Sequence, residues 1–187
     1  PSLFSGPAAG VMGAVRQAGL SGYGDLITLD MGGTSTDVCL VADGKPNLSG
    51  ETEVDGLPIR TPVLDIVTVG AGGGSICWQD DGGMLRVGPE SAGADPGPAC
   101  YGRGGTRPAI TDAHMVRGTI RAEEFLGGNM DVDKDAAASV FKVLSNNIDM
   151  SLEDAADSAV RVADANIVGA IQLVSTERGR DPRDYVL

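Results

Sequence analysis

Leu26-Ile27-Thr28-Leu29-Asp30-Met31-Gly32-Gly33-Thr34-Ser35-Thr36-Asp37-Val38-Cys39-Leu40-Val41 is the stretch from which the rest of the chain is read. Two apolar runs flank a polar centre that carries two glycines, the pattern of strand, tight turn, strand. Adjacent glycines let the backbone come close to a ligand and admit positive φ. Thr34, Ser35 and Thr36 add hydroxyl donors beside free backbone N–H groups, and such a concavity suits a phosphate. Asp30 ends the first run. A carboxylate repels phosphate, so its use here would be to hold Mg²⁺ or order its water shell, since Mg²⁺ takes only a carboxylate or two. The same residues also read as a plain β-hairpin, in which Gly-Gly is a common turn. The turn is not a Walker A loop: the lysines are Lys45, Lys134 and Lys142, and none follows a glycine-rich turn into a helix.

A length of 187 residues suits one domain, or one and a small appendage. The formal net charge is −12 and no basic run occurs, which argues against nonspecific DNA or RNA binding. No window is long and apolar enough to span a bilayer. Cys39, Cys77 and Cys100 are an odd set without disulfide or metal-ligand spacing, so a reducing, cytoplasmic setting is expected, with Cys39 and Cys77 as core thiols. The chain opens Pro1-Ser2-Leu3-Phe4 without Met and closes on Tyr185-Val186-Leu187, which reads as the start of a strand; a piece of a longer protein is expected.

Ser5-Gly6-Pro7 opens a helix, with a capping hydroxyl and a proline in the first turn. Gly19 is its expected stop. Ala8, Ala9, Gly10, Gly13 and Ala14 make one side small enough to sit close to a sheet or a ligand. Strands at 26–30 and 36–42 follow, with Asp43-Gly44 as the next hairpin turn. A buried run over 63–69 ends in Gly70-Ala71-Gly72-Gly73-Gly74-Ser75, and a further hairpin turns at Asp81-Gly82-Gly83. Residues 88–108 form a long Gly/Pro-rich loop that also holds Cys100 and Tyr101, which predicts order rather than disorder. The rest is helical: Thr111-Asp112 caps a short segment, Asp133 starts a second helix, and the capping box Ser151-Leu152-Glu153-Asp154 starts a long third one ending at Gly179. A strand-rich part, 1–110, and a helical part, 111–180, predict an α+β or α/β layered domain.

Several motifs in order along the chain resemble the hydantoinase A/5-oxoprolinase family. They are Ser5-Gly6-Pro7-Ala8-Ala9-Gly10, Leu29-Asp30-Met31-Gly32-Gly33-Thr34-Ser35-Thr36-Asp37-Val38, and Val69-Gly70-Ala71-Gly72-Gly73-Gly74-Ser75-Ile76. The most specific piece is Arg86-Val87-Gly88-Pro89-Glu90-Ser91-Ala92-Gly93-Ala94-Asp95-Pro96-Gly97-Pro98-Ala99-Cys100-Tyr101-Gly102, and Thr111-Asp112-Ala113-His114 and Glu177-Arg178-Gly179-Arg180-Asp181-Pro182-Arg183-Asp184 complete the set. The resemblance implies an actin/sugar-kinase-like (ribonuclease H-like) ATPase fold, of which residues 1–187 would be part of the second lobe. It also implies ATP with Mg²⁺, and ATP-driven opening of a cyclic amide such as hydantoin or 5-oxoproline. The related branch carboxylates a ketone. A hydantoinase B-like subunit or domain is the implied partner. The family's own first Asp-x-Gly-Gly-Thr loop is absent here, so the chain alone is expected to be inactive.

On this reading Gly32, Gly33, Thr34 and Thr36 hold ATP phosphates, Gly72 and Gly73 offer further N–H groups, and Asp30 is the catalytic or Mg²⁺-holding acid. Gly70 to Ser75 reads equally as a turn under a close-packed helix. Asp112-Ala113-His114 offers two metal ligands if the segment is extended, because alternate residues then share a face. Arg103, Arg107 and Asp95 sit in the glycine loop as possible carboxylate or phosphate contacts, or as solvated charges. A kinase acting on a sugar or acetate, and a non-catalytic assembly module, are the competing functions.

Overall fold

The computed structural model describes residues 5–50, 52–54, 57–59 and 63–187, so the opening Pro1-Ser2-Leu3-Phe4 lies outside them. The chain divides into two compact units: residues 1–30, 37–68 and 168–187 form the first, and 31–36 with 69–167 the second.

In the first unit α1 (Ser5–Leu20) precedes β1 (Leu26–Met31), β2 (Thr36–Ala42) and β3 (Lys45–Pro46). The short strands β4 (Leu48–Ser49), β5 (Thr52–Val54), β6 (Leu57–Ile59) and β7 (Val63–Leu64) follow, then β8 (Ile66–Val69). α1 continues past Gly19 and closes one residue beyond it. Tyr23 N donates to Ala18 O and Gly22 N to Gly19 O, with Gly22 at φ 83°, the Schellman arrangement. Gly22, rather than Gly19, supplies the left-handed residue that ends the helix.

β1, β2 and β3 lie in that order in one sheet, and β8 also pairs with β2. Only residues 32–35 join β1 to β2, too few for a parallel crossover, so the pair is antiparallel. β2 is the buried strand: Val38, Cys39, Leu40 and Val41 are all at most 1% exposed. Asp43 and Gly44 both take positive φ, 52° and 70°, the two-residue turn expected between β2 and β3. Val11, Ala14, Val15 and Ala18 of α1 pack against Leu26, Cys39, Val41, Leu64 and Ile66. The run over 63–69 is two strands rather than one. Asp65 parts them, and its carboxylate pairs with Arg178. Val186 forms an isolated parallel bridge with Leu26, with Ile27 N donating to Val186 O and Val186 N to Asp25 O, the pairing with which a strand beside β1 would begin.

In the second unit β9 (Ser75–Gln79) and β10 (Leu85–Ser91) form an antiparallel hairpin. Asp80 Oδ1 accepts from Gly82 N and Met84 N and so closes the turn. Three helices follow: α2 (Ile110–Val116), α3 (Lys134–Asn147) and α4 (Leu152–Val174). Asp133 caps α3 by accepting from Ala136 N, and Ser151 Oγ caps α4 by accepting from Asp154 N. The core gathers Phe141 with Cys77, Val87, Ile110, Ala113, Leu144, Ala156, Ala159, Val160 and Ala163. The alanines of α4 keep that helix close to the hairpin. α4 ends at Val174, and a 3₁₀ turn over Thr176–Arg178 carries the chain to Gly179.

Phe141 is fully buried. Phe141→Ala should therefore destabilise the protein by about 3–5 kcal/mol, read as a lowered urea midpoint at unchanged slope.

Candidate functional site

The turn between β1 and β2 belongs to the second unit, as does the loop over Gly70 to Ser75. Gly32 N donates to Ser35 O at 2.8 Å and closes the turn on itself. Neither Gly32 nor Gly33 takes positive φ, contrary to the sequence expectation. A Cβ on Gly33 would meet nothing within 4 Å, and one on Gly32 only Ser35 O at 3.5 Å. The fold itself thus asks for no glycine at 33. The space a side chain would fill is open.

The carbonyls of the turn point at the glycine loop. Gly32 O accepts from Gly73 N at 3.0 Å and Gly33 O from Gly74 N at 2.5 Å, while Thr34 O lies 3.5 Å from Ser75 Oγ. In a trans peptide the C=O and the following N–H point to opposite sides. The N–H groups of Gly33 and Thr34 are therefore turned away from the loop, and no described residue accepts from them. Gly33 and Thr34 are exposed and Ser35 is half-buried. Successive N–H groups on one side of a turn make a nest for an anion.

Three expected phosphate contacts are placed differently. Thr36 is fully buried, and its Oγ1 donates to Ala71 O at 2.6 Å, so its hydroxyl faces inward. Gly72 N donates to Ser75 Oγ at 2.8 Å, and Gly73 N is taken by Gly32 O. The glycine loop is a close-packed turn, but what lies against Gly72 and Gly74 is the backbone of the β1–β2 turn rather than a helix. A Cβ on Gly72 would stand 2.7 Å from Ser35 N and from Thr34 C, and one on Gly74 2.8 Å from Gly33 O. Glycine is needed there because backbone touches backbone. Gly74 and Ser75 join the site without having been singled out, whereas Ser35 was already expected to add a hydroxyl donor at the turn. The hydroxyl ending the glycine run at Ser75 was the available signal.

Asp30 lies in the first unit, exposed, and its carboxylate makes no hydrogen bond or ion pair with a described residue. It lines a cleft of about 670 Å³ with Gly10, Val11 and Ala14 of α1 and Leu29 of β1. The small face of α1 makes this room: a Cβ on Gly10 would stand 3.5 Å from Asp30 Oδ2. Asp37 also lines the cleft, but its carboxylate already accepts from Thr68 Oγ1 at 2.6 Å.

Asp112 and His114 do not form the expected pair. The segment is the helix α2, where residues two apart point to different sides. Asp112 is fully buried and accepts from three backbone N–H groups: Ala99 at 3.1 Å, Cys100 at 2.8 Å and Ala109 at 3.0 Å. It ties the Gly/Pro-rich loop to the start of α2, and Ala109, not Thr111, is the cap position. His114 is half-buried, and its Nδ1 has no hydrogen-bond partner among the described residues. Burial and the neighbouring Arg117 hold its pKa below the usual 6.5, against the pull of Asp164. Among the described residues no three His, Cys, Asp or Glu side chains gather as a metal site. Arg107 pairs with Glu90, and Arg103 lies 6.0 Å from the Tyr101 ring centre, so both serve the loop they sit in.

All three cysteines are buried and free. Burial, opposed by Arg178, pushes the Cys39 thiol up to about 11. Burial, reinforced by Asp112, pushes up those of Cys77 and Cys100.

A sequence model of the hydantoinase/oxoprolinase family matches residues 2–187. The caprolactamase subunit alpha of Pseudomonas jessenii is 41% identical over the whole chain, which covers 27% of that subunit. The crystal structure of that ATP-dependent caprolactamase superposes with a TM-score of 0.88, over 98% of this chain and 27% of its own. 5-Oxoprolinase 1 of Arabidopsis thaliana is 39% identical over the whole chain and 16% of its own length. A nucleotide-free acetone carboxylase structure, from work on ATP-dependent acetone carboxylation, is 29% identical, with a TM-score of 0.88 over 97% of this chain and 26% of its own. The fold is thus the mixed α/β fold of these enzymes, and the chain spans less than a third of each.

Two outcomes follow from α2. Asp112→Ala leaves three buried donors unpaired and should cost at least about 3 kcal/mol in urea unfolding, whereas dialysis against a chelator should leave the midpoint unmoved. His114 stays neutral in the folded state at pH values where the unfolded chain takes a proton. Its contribution to stability is present above its unfolded value of 6.5 and lost as pH falls through the lower folded one. Unfolding of His114→Asn should accordingly show a shallower loss of stability from about pH 7 to pH 5 than the unaltered protein.

Proposed function

Because the chain belongs to the hydantoinase/oxoprolinase family, we propose that it contributes a phosphate-binding turn to an ATP-dependent enzyme that opens a cyclic amide. The observation that carries this reading is the pair of successive outward N–H groups at Gly33 and Thr34. Thr34 is exposed and Ser35 beside it half-buried, and the space at Gly33 is open. Caprolactam and 5-oxoproline, the substrates in the relatives' names, are both cyclic amides.

The donors suit a phosphate. N–H groups and the Thr34 and Ser35 hydroxyls would hold its oxygens through charge-assisted hydrogen bonds. Bound ATP would supply the phosphoryl group that turns a poor leaving group on the amide oxygen into a good one. Asp30 suits Mg²⁺, being an exposed carboxylate with no competing partner among the described residues. Gly72, Gly73 and Thr36 stand behind the turn and support it rather than touch the ligand.

In fold terms, an antiparallel β1–β2 pair joined by a phosphate turn, with a parallel strand beginning beside β1, supports an actin-like (ribonuclease H-like) ATPase lobe. Residues 1–187 would be part of its second lobe, strand-rich before 110 and helical after it. A hydantoinase B-like subunit or domain is the proposed partner, in keeping with relatives that are themselves subunits. Three buried, free thiols suit the reducing cytosol. A second reading, the ATP-handling subunit of a ketone carboxylase, is favoured by the likeness to acetone carboxylase and uses the same turn.

The test is made in the full-length protein. Gly33→Ala should leave the melting temperature nearly unchanged, because its Cβ meets nothing in the fold. It should weaken ATP binding by about tenfold or more, the loss of one charge-assisted hydrogen bond. Asp30→Asn should lower kcat by about a hundredfold while the Kd for ATP changes much less. Calorimetry and turnover at wild-type values in both variants would leave the turn a hairpin, and the chain an assembly module.

A further inference from the structure

We infer that Ser75 and Thr111 are positioning residues of the phosphate turn: they do not reach the ligand, but they fix the direction of the amides that do. The inference rests on the phosphate reading above. A Gly-Gly pair is the most easily rotated piece of backbone a turn can have, since neither residue carries a Cβ to restrict it. Left alone, the peptide units after Gly32 and Gly33 could present either their carbonyls or their N–H groups to solvent, and only the second choice attracts an anion. The Gly73 and Gly74 amides make the choice, by holding the Gly32 and Gly33 carbonyls on the inner side.

Those amides are dependable only if the glycine loop is itself fixed, and it too is rich in residues that rotate freely. Side-chain hydroxyls hold it. Thr111 grips the Gly73 carbonyl twice, through N at 2.8 Å and Oγ1 at 2.9 Å. Ser75, fully buried, accepts from Gly72 N at 2.8 Å, and its hydroxyl lies 3.2 Å from Gly70 O and 3.5 Å from Thr34 O. It therefore touches both the loop and the turn. Thr36 holds Ala71 from the turn's far end. The order of dependence runs from hydroxyl to glycine loop, from loop to turn carbonyl, and from carbonyl to outward N–H. Thr111 lies in the first turn of α2, so a helix in the unit's core anchors the series.

The experiment compares ATP with adenosine, which lacks the phosphates, as probes of the full-length protein. Ser75→Ala and Thr111→Val should each raise the Kd for ATP by about tenfold, with adenosine binding unchanged. Thr111→Ser, which restores the hydroxyl, should return ATP affinity to within about twofold of the original. If Ser75→Ala does not fold, the Thr111 pair decides. Equal weakening of ATP and adenosine, or ATP affinity unaltered in Thr111→Val, overturns the inference. The two ideas fail separately. If Gly33→Ala loses ATP while Thr111→Val keeps it, only the positioning role falls. If Gly33→Ala binds ATP normally, the phosphate reading falls and takes the positioning role with it.

Discussion

The second unit depends on one contact between two stretches of bare backbone. The Gly73 and Gly74 amides donate to the Gly32 and Gly33 carbonyls, and the two stretches run so close that a single added carbon at Gly72 would stand 2.7 Å from the opposing chain. Hydrogen bonds of this kind are modest in net energy but costly to leave unmade once water is excluded. Much else is arranged around keeping them. β9 starts at Ser75, whose hydroxyl closes the loop, and α2 starts beside Thr111, which holds the loop's carbonyl.

A second constraint organises the Gly/Pro-rich segment. Such a sequence has little apolar surface to bury and many backbone groups to satisfy. Asp112 answers this with one carboxylate, which takes N–H groups from Ala99, Cys100 and Ala109. Loop order therefore comes from a buried charge held by backbone dipoles. Its field is also felt by the thiols beside it, since it helps push up those of Cys77 and Cys100.

Local chemistry was the legible part of the sequence. Asp43-Gly44, Asp133 and Ser151 each act through their own neighbours, and each turn or cap is where its residues indicated. The β1–turn–β2 unit was legible too, because two apolar runs around a short polar centre leave few alternatives. What needed the structure was partnership across sequence. Gly32 and Gly33 look like residues chosen for positive φ, yet their φ is ordinary, and the strict demand for glycine falls on Gly72 and Gly74, some forty positions later. Thr36 reads as a ligand because a hydroxyl beside a glycine turn usually faces out. Its partner, Ala71, is thirty-five residues away. Asp112 and His114 look like a pair only if the backbone is extended, and the 3.6-residue helical period separates them.

β1 has one feature with a different bearing. Its sequence, Leu26-Ile27-Thr28-Leu29-Asp30-Met31, is apolar or β-prone apart from one charge, Asp30. Such a segment, bared while a chain folds, can stack on copies of itself. A charge within it opposes stacking, because aligned copies bring like charges together. Asp30 is thus a gatekeeper against self-association of its own segment, whatever else its carboxylate does.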